Sequence, residues 1–165
     1  MNIHKLVNEI KNKTVDKKTF IVAIDGRSGS GKTSIANALK QNIPNAEIVH
    51  LDTYGMYEGI DSIHRVIDDL LDPMKRSEKE RFLIVEGIFA LTSELIPFYD
   101  YKIWVECPEK LGFERGLQRD IKLNGIDNSE KWLTYWLPKE REYISTENPQ
   151  HKADFIIEGD VKQIT

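Results

Sequence analysis

A single cysteine, Cys107, stands in 165 residues, so no internal disulfide can form and the fold must rest on an apolar core. With no base beside it in the sequence, Cys107 reads as a buried residue at a strand end rather than as a nucleophile. No apolar run approaches the length needed to cross a bilayer, and Met1 to Lys13 lacks the uninterrupted apolar stretch of a secretory leader. These absences predict a cytoplasmic protein with no membrane partner. Lys and Arg number 23 against 27 Asp and Glu, giving a net charge of −4, and no run of basic residues forms a stripe for nucleic acid. The expected partner is a small molecule. His4, His50, His64 and His151 are scattered without metal-ligand spacing, which argues against zinc. No N-K-x-D segment for reading guanine is present; Asn12-Lys13-Thr14-Val15-Asp16 comes too early in the chain.

What the chain does have is Gly26-Arg27-Ser28-Gly29-Ser30-Gly31-Lys32-Thr33, which satisfies G-x-x-x-x-G-K-[ST] directly after the apolar run Phe20 to Ile24. Glycines in such a loop let successive N–H groups turn toward one anion, the Lys32 ammonium reaches the outer phosphates, and the Thr33 hydroxyl is placed to hold Mg²⁺. Gly26 to Ser34, with Lys32 and Thr33 among them, are therefore the expected nucleotide-binding segment. A dinucleotide-binding turn fails on spacing, since G-x-G-x-x-G on Gly29 and Gly31 needs Gly or Ala where Ser34 stands.

Short apolar runs alternate with helical segments through the rest of the chain. Strands are predicted at Phe20–Asp25, Ala46–Leu51, Phe82–Glu86, Tyr101–Glu106 and Asp154–Ile157, and helices at Lys32–Gln41, Ile60–Leu71, Pro108–Leu123 and Ser129–Ile144. Near-continuous apolar strands such as Phe82-Leu83-Ile84-Val85 suit a parallel sheet covered on both faces, hence a doubly wound α/β fold in one domain. Ile3, Leu6, Val7 and Ile10 form an apolar stripe that can pack on the domain or on a second subunit, so a homo-oligomer stays open.

Ligands of such sheets collect at the carboxyl ends of the strands, where Asp25, Asp52 and Glu86 stand; all three are expected to face one nucleotide. Phosphoryl transfer needs charge neutralisation and in-line positioning. Glu86, ending an apolar strand, fits a magnesium-associated acid. Asp52 fits the base that receives the acceptor's proton, a metal ligand, or both. Tyr54 and Tyr57 can stack on a sugar or base, or simply fill the core. Arg115 and Arg119, on one helix face, are candidates to clasp the transferring phosphoryl group from a lid spanning about residues 112–146. Lys139 and Arg141 read more simply as solvated helix charges, and Trp132, Tyr135, Trp136 and Tyr143 as a packing face on the sheet.

Five blocks together resemble the uridine kinase-like branch of the P-loop kinases: Val22 to Thr33, His50-Leu51-Asp52-Thr53-Tyr54, Ile84-Val85-Glu86-Gly87-Ile88, Arg115 to Asp120, and Ala153-Asp154-Phe155-Ile156-Ile157. The resemblance implies a five-stranded parallel sheet in a three-layer α/β/α sandwich, ATP as donor, Mg²⁺ as cofactor, and a nucleoside-like alcohol as acceptor. It implies Asp52 as catalytic acid, Glu86 beside the metal, Arg119 as a lid arginine, and a loop around Glu158 to Val161 bordering the adenine. A nucleoside monophosphate kinase and a non-catalytic ATP-binding regulatory module are the rival readings. Two departures stand out. Only 33 residues, 53–85, separate Asp52 from Glu86, too few for the β-hairpin with which uridine kinases cover the nucleoside, and Leu123-Asn124-Gly125-Ile126 replaces the family's basic pair. An anionic acceptor would need further cations, for which Arg65, Lys75 and Arg76 are the candidates.

Overall fold

A computed structural model describes residues 3–14 and 17–159. Five parallel strands, β1 (Thr19–Gly26), β2 (Ala46–His50), β3 (Arg81–Glu86), β4 (Tyr101–Glu106) and β5 (Phe155–Glu158), form one sheet in the order β2-β3-β1-β4-β5. Every predicted strand is present, with no end displaced by more than one residue. The central strand β1 is buried from Phe20 onward because it is flanked by β3 and β4 and covered on both faces. Alternation along it divides the core: Phe20, Val22 and Ile24 join one apolar cluster, Ile21 and Ala23 the other.

The first cluster is closed by α1 (Ile3–Lys13) and α2 (Lys32–Asn42). Ile3, Leu6, Val7 and Ile10 are all buried in it, so the opening stripe packs on its own domain. The second cluster is closed by α3 (Ile60–Val66), α4 (Asp72–Lys75) and the loop after β3, through Val66, Leu70, Leu71, Leu91 and Leu95. The rest is helical: α5 (Glu109–Asn124), α6 (Ser129–Lys131), α7 (Leu137–Glu147) and α8 (Pro149–Lys152). No helix among the described residues is long and apolar enough to cross a membrane.

Two predicted helices prove to be interrupted, and proline explains both. Pro73 and Pro138 have no N–H for the carbonyl four residues back, and each ring crowds it. The backbone answers with a π-helical turn just upstream, Ile67–Leu71 in one case and Trp132–Trp136 in the other. The N–H of Asp72 reaches the Ile67 carbonyl and that of Leu137 the Trp132 carbonyl, five residues back in each case.

Candidate active site

The strand β1 ends in Gly26 and the chain turns through Gly29 and Gly31, both at positive φ of 72° and 100°, before α2 begins at Lys32. Flexibility is only part of why glycine stands there. A Cβ on Gly29 would lie 2.1 Å from the Gly112 carbonyl oxygen, and one on Gly112 would lie 2.5 Å from that of Ser28. The loop and the first turn of α5 meet backbone to backbone. Gly159 closes the other side, where a Cβ would sit 2.1 Å from the Ser30 carbonyl. Gly112 and Gly159 belong to no motif, and only the folded chain reveals their part in seating the loop.

Around this loop opens a cleft of about 770 Å³. Its lining includes Ser28, Gly29, Gly31, Lys32, Thr33, Ser34 and Glu86. The Lys32 ammonium donates to the carbonyls of Gly26 and Arg27, each at 2.9 Å, curling over the loop it would serve. Thr33 Oγ1 donates to Glu86 Oε1 at 3.2 Å, and His50 Nδ1 meets the same oxygen. Glu86 is only 5 % exposed, so its carboxylate is an inward group rather than a surface acid. A hydroxyl and a carboxylate side by side are hard oxygen donors of the kind that hold Mg²⁺ together with phosphates and water. Among the described residues no cluster of three or more His, Cys, Asp or Glu forms a metal cage, so a nucleotide would have to complete the shell.

Asp52 lies just past β2, in a 3₁₀ turn over Leu51–Tyr54, exposed to the same cleft. From α5 the same cleft is lined by Arg115, whose guanidinium donates to the Gly159 carbonyl at 2.8 Å, and Arg119, held by Asp120 at 3.0 Å. Asp120 in turn accepts from Trp132 Nε1 at 2.9 Å. The remaining members of the loop do other work. Ser30 is buried and Arg27 pairs with Glu109 at 3.1 Å; neither they nor Gly26 line the cleft.

Asp25 departs from expectation. It is completely buried and accepts from the amides of Gly26 (2.6 Å) and Leu91 (2.8 Å) and from the Tyr143 hydroxyl (2.5 Å), so it faces the fold and not a ligand. Burial pushes its pKa up to about 6 against the pull of these donors.

The four aromatics read as a packing face divide among three tasks. Trp132 is buried with its ring where a Cβ on Gly116 would stand and also lines the cleft, Tyr135 and Trp136 line the cleft, and Tyr143 secures Asp25. Tyr57 lines the cleft, whereas Tyr54 packs on the core. The Tyr57 hydroxyl lies 3.2 Å from Ser28 Oγ and donates to Glu140 at 2.9 Å, and burial together with the Glu140 charge drives its pKa upward. Lys139 and Arg141 are more than solvated charges: Lys139 donates to the Tyr57 carbonyl at 2.7 Å, and Arg141 grips Glu109 at 2.6 and 2.9 Å. Lys131, on α6, and Asn128, just before it, also line the cleft, and no motif in the sequence singles them out. Of the loop expected beside the adenine, Glu158 and Gly159 are described, whereas Asp160 and Val161 lie outside the described residues.

No family model matches the chain. It is similar to the uridine kinase of Streptococcus mutans, 24 % identical over 90 % of either chain, and to that of Macrococcus caseolyticus, 28 % identical over 85 % of this chain and 88 % of the relative. Its fold is similar to that of a possible uridine kinase from Bacillus stearothermophilus, with a TM-score of 0.72, 20 % identity and coverage of 94 % and 96 % of the two chains. The shikimate kinase of Acinetobacter baumannii shares the fold with a TM-score of 0.58 at 16 % identity, over 92 % of this chain and 90 % of that one. The resemblance to uridine kinase-like P-loop kinases is thus borne out over nearly the whole length, and with it the three-layer α/β fold. The chain resembles phosphotransferases in sequence and kinases in architecture.

Proposed function

We propose that this chain is an ATP- and Mg²⁺-dependent kinase that transfers the γ-phosphoryl group to a hydroxyl of an uncharged, nucleoside-like metabolite. The observation that carries this reading is a single cleft lined together by Lys32, Thr33, Glu86, Asp52, Arg115 and Arg119. In this reading the amides of the phosphate loop and the Lys32 ammonium take the β and γ phosphates, with Gly26 to Ser34 as the donor segment. Thr33 and Glu86, with Asp52 within the same cleft, hold a magnesium ion, which supplies charge neutralisation at the transferring phosphate. Asp52 receives the proton from the acceptor hydroxyl as its oxygen bonds to phosphorus and the bond to ADP breaks. Arg119 and Arg115 offset the charge that spreads over the phosphoryl oxygens and, from a lid reaching across about residues 112–146 of one kinase domain, help to exclude water.

The charges favour a neutral acceptor over a phosphorylated one. Arg65, Lys75 and Arg76 do not line the cleft, and they are engaged by Glu58, Asp100 and Asp72 respectively. The acceptor side instead presents Asp52, Glu58 and Asp120, with Lys131 set over the Trp136 ring at 4.7 Å. ADP release measured over a panel of nucleosides, sugars, other alcohols and nucleoside monophosphates tests this directly. Stimulation by one class of uncharged alcohol is expected, with Lys32→Ala lowering turnover by about 10²–10³-fold. Stimulation by monophosphates alone would overturn the acceptor, and tight ATP binding with no stimulated turnover would point to a regulatory module.

A further inference from the structure

The histidines have no part in the scheme above, yet one of them touches its metal site. His50 is the last residue of β2 and pairs in register with Glu86, the last residue of β3. Adjacent positions on neighbouring parallel strands send their side chains to the same face, so the imidazole and the carboxylate are set side by side by the sheet itself. His50 Nδ1 contacts Glu86 Oε1, the same oxygen that accepts from Thr33. A carboxylate can only accept, so Nδ1 carries the proton in this contact. With Nδ1 committed to Glu86, and with magnesium selecting oxygen donors, the imidazole is a support for the ligand and not a ligand.

We propose that His50 is a positioning residue for the divalent cation: it fixes the rotamer of Glu86 so that the second carboxylate oxygen is presented beside Thr33. The inference rests on the kinase reading of the cleft. A Glu side chain has three rotatable bonds, and Thr33 alone, at 3.2 Å, ties down one oxygen from one side. The second bond, from a ring anchored on the neighbouring strand, removes the swing that remains. Hydrogen-bond partners of metal-holding carboxylates commonly change metal affinity by about 10–100-fold when removed. Half of the His50 side chain, 49 %, is exposed, so truncating it leaves no large internal void.

The test uses the whole chain and two separate readouts. Affinity for the non-hydrolysable ATP analogue AMP-PNP is measured by calorimetry with chelator and with magnesium, and Mn²⁺ affinity of the protein–AMP-PNP complex is measured by electron paramagnetic resonance. His50→Ala should weaken Mn²⁺ binding about 10-fold or more while leaving metal-free AMP-PNP binding and the thermal midpoint close to wild type. His50→Asn, whose amide nitrogen can take the place of Nδ1, should recover most of the loss. Wild-type Mn²⁺ affinity in His50→Ala would overturn the proposal. So would an equal loss of metal-free nucleotide binding, or an Asn variant as impaired as the Ala one. Failure of the wild-type protein to bind AMP-PNP with magnesium would sink the kinase reading, and this inference with it, before any variant is compared.

Discussion

At the donor end of the cleft the phosphate loop hangs from β1, a strand buried on both faces, and its turn is wedged between the Gly112 and Gly159 backbones. At what we propose as the acceptor end, side chains come from α5, α6 and the π-helical turn before α7, joined by single hydrogen bonds such as Trp132 Nε1 to Asp120 on α5 and Lys139 to the Tyr57 carbonyl. Backbone held by packed backbone has one arrangement; side chains on a solvated helix have several. In the proposed reading, the donor end is thus suited to gripping a phosphate chain that every nucleotide shares, and the acceptor end to varying with the substrate.

The largest effect expected from separating the two ends is chemical. Asp52→Asn removes a proton acceptor without disturbing the loop, so transfer to the acceptor should fall by about 10²–10⁴-fold while ATP affinity stays within a few-fold of wild type. Stopped-assay turnover beside ATP titration checks this. Full turnover in the variant would mean that Asp52 is not the base that receives the acceptor's proton.

The same division governs how much the sequence could reveal. Phosphate-loop spacing, the acid just past β2 and the acid ending β3 are local patterns, and the sheet that carries them follows from apolar runs of strand length. Asp25 has the same local signature as Glu86, an acid ending an apolar strand. What separates them is Tyr143, which lies 118 positions away in sequence, and the Leu91 amide. Nor does periodicity tell Trp132, which is buried against Gly116, from Trp136, which is partly exposed, although both line the cleft, because both sit on one helical stretch and the π-helical slip there is set by Pro138. His50 escaped for a related reason: its partner, Glu86, is 36 positions along, and only strand register makes them neighbours.

Two glycine substitutions sharpen the contrast in packing. Gly29 and Gly125 both have positive φ, 72° and 67°, so alanine is strained at either. At Gly29 the added methyl would also meet the Gly112 carbonyl at 2.1 Å, whereas at Gly125, the cap of α5, it meets nothing within 4 Å. Gly29→Ala should cost about 4 kcal/mol, strain and overpacking together, and Gly125→Ala about 1 kcal/mol. Urea denaturation of the two variants measures the difference. Equal costs would show that the loop can yield, and that the donor end is no more rigid than the lid.

Asp25 is where the two ends are fastened together, since the Tyr143 hydroxyl reaches it from α7. Burial holds its pKa near 6, above the ordinary 3.8, so between those values the folded chain keeps a proton that the unfolded chain releases. Stability therefore falls as pH rises through that window, by about 1.4 kcal/mol per pH unit at the steepest and about 3 kcal/mol in total. Asp25→Asn cannot titrate and must set its amide N–H₂ against the Gly26 or the Leu91 donor, a fixed cost. The gap in unfolding free energy between wild type and Asp25→Asn should accordingly be widest near pH 4 and narrow by about 3 kcal/mol toward pH 7, as followed by urea melts across the range. A gap that widens with pH would mean that the three donors hold the carboxylate ionised. Tyr143 would then tie α7 to a charge, and the joint between donor and acceptor ends would strengthen where it is here expected to loosen.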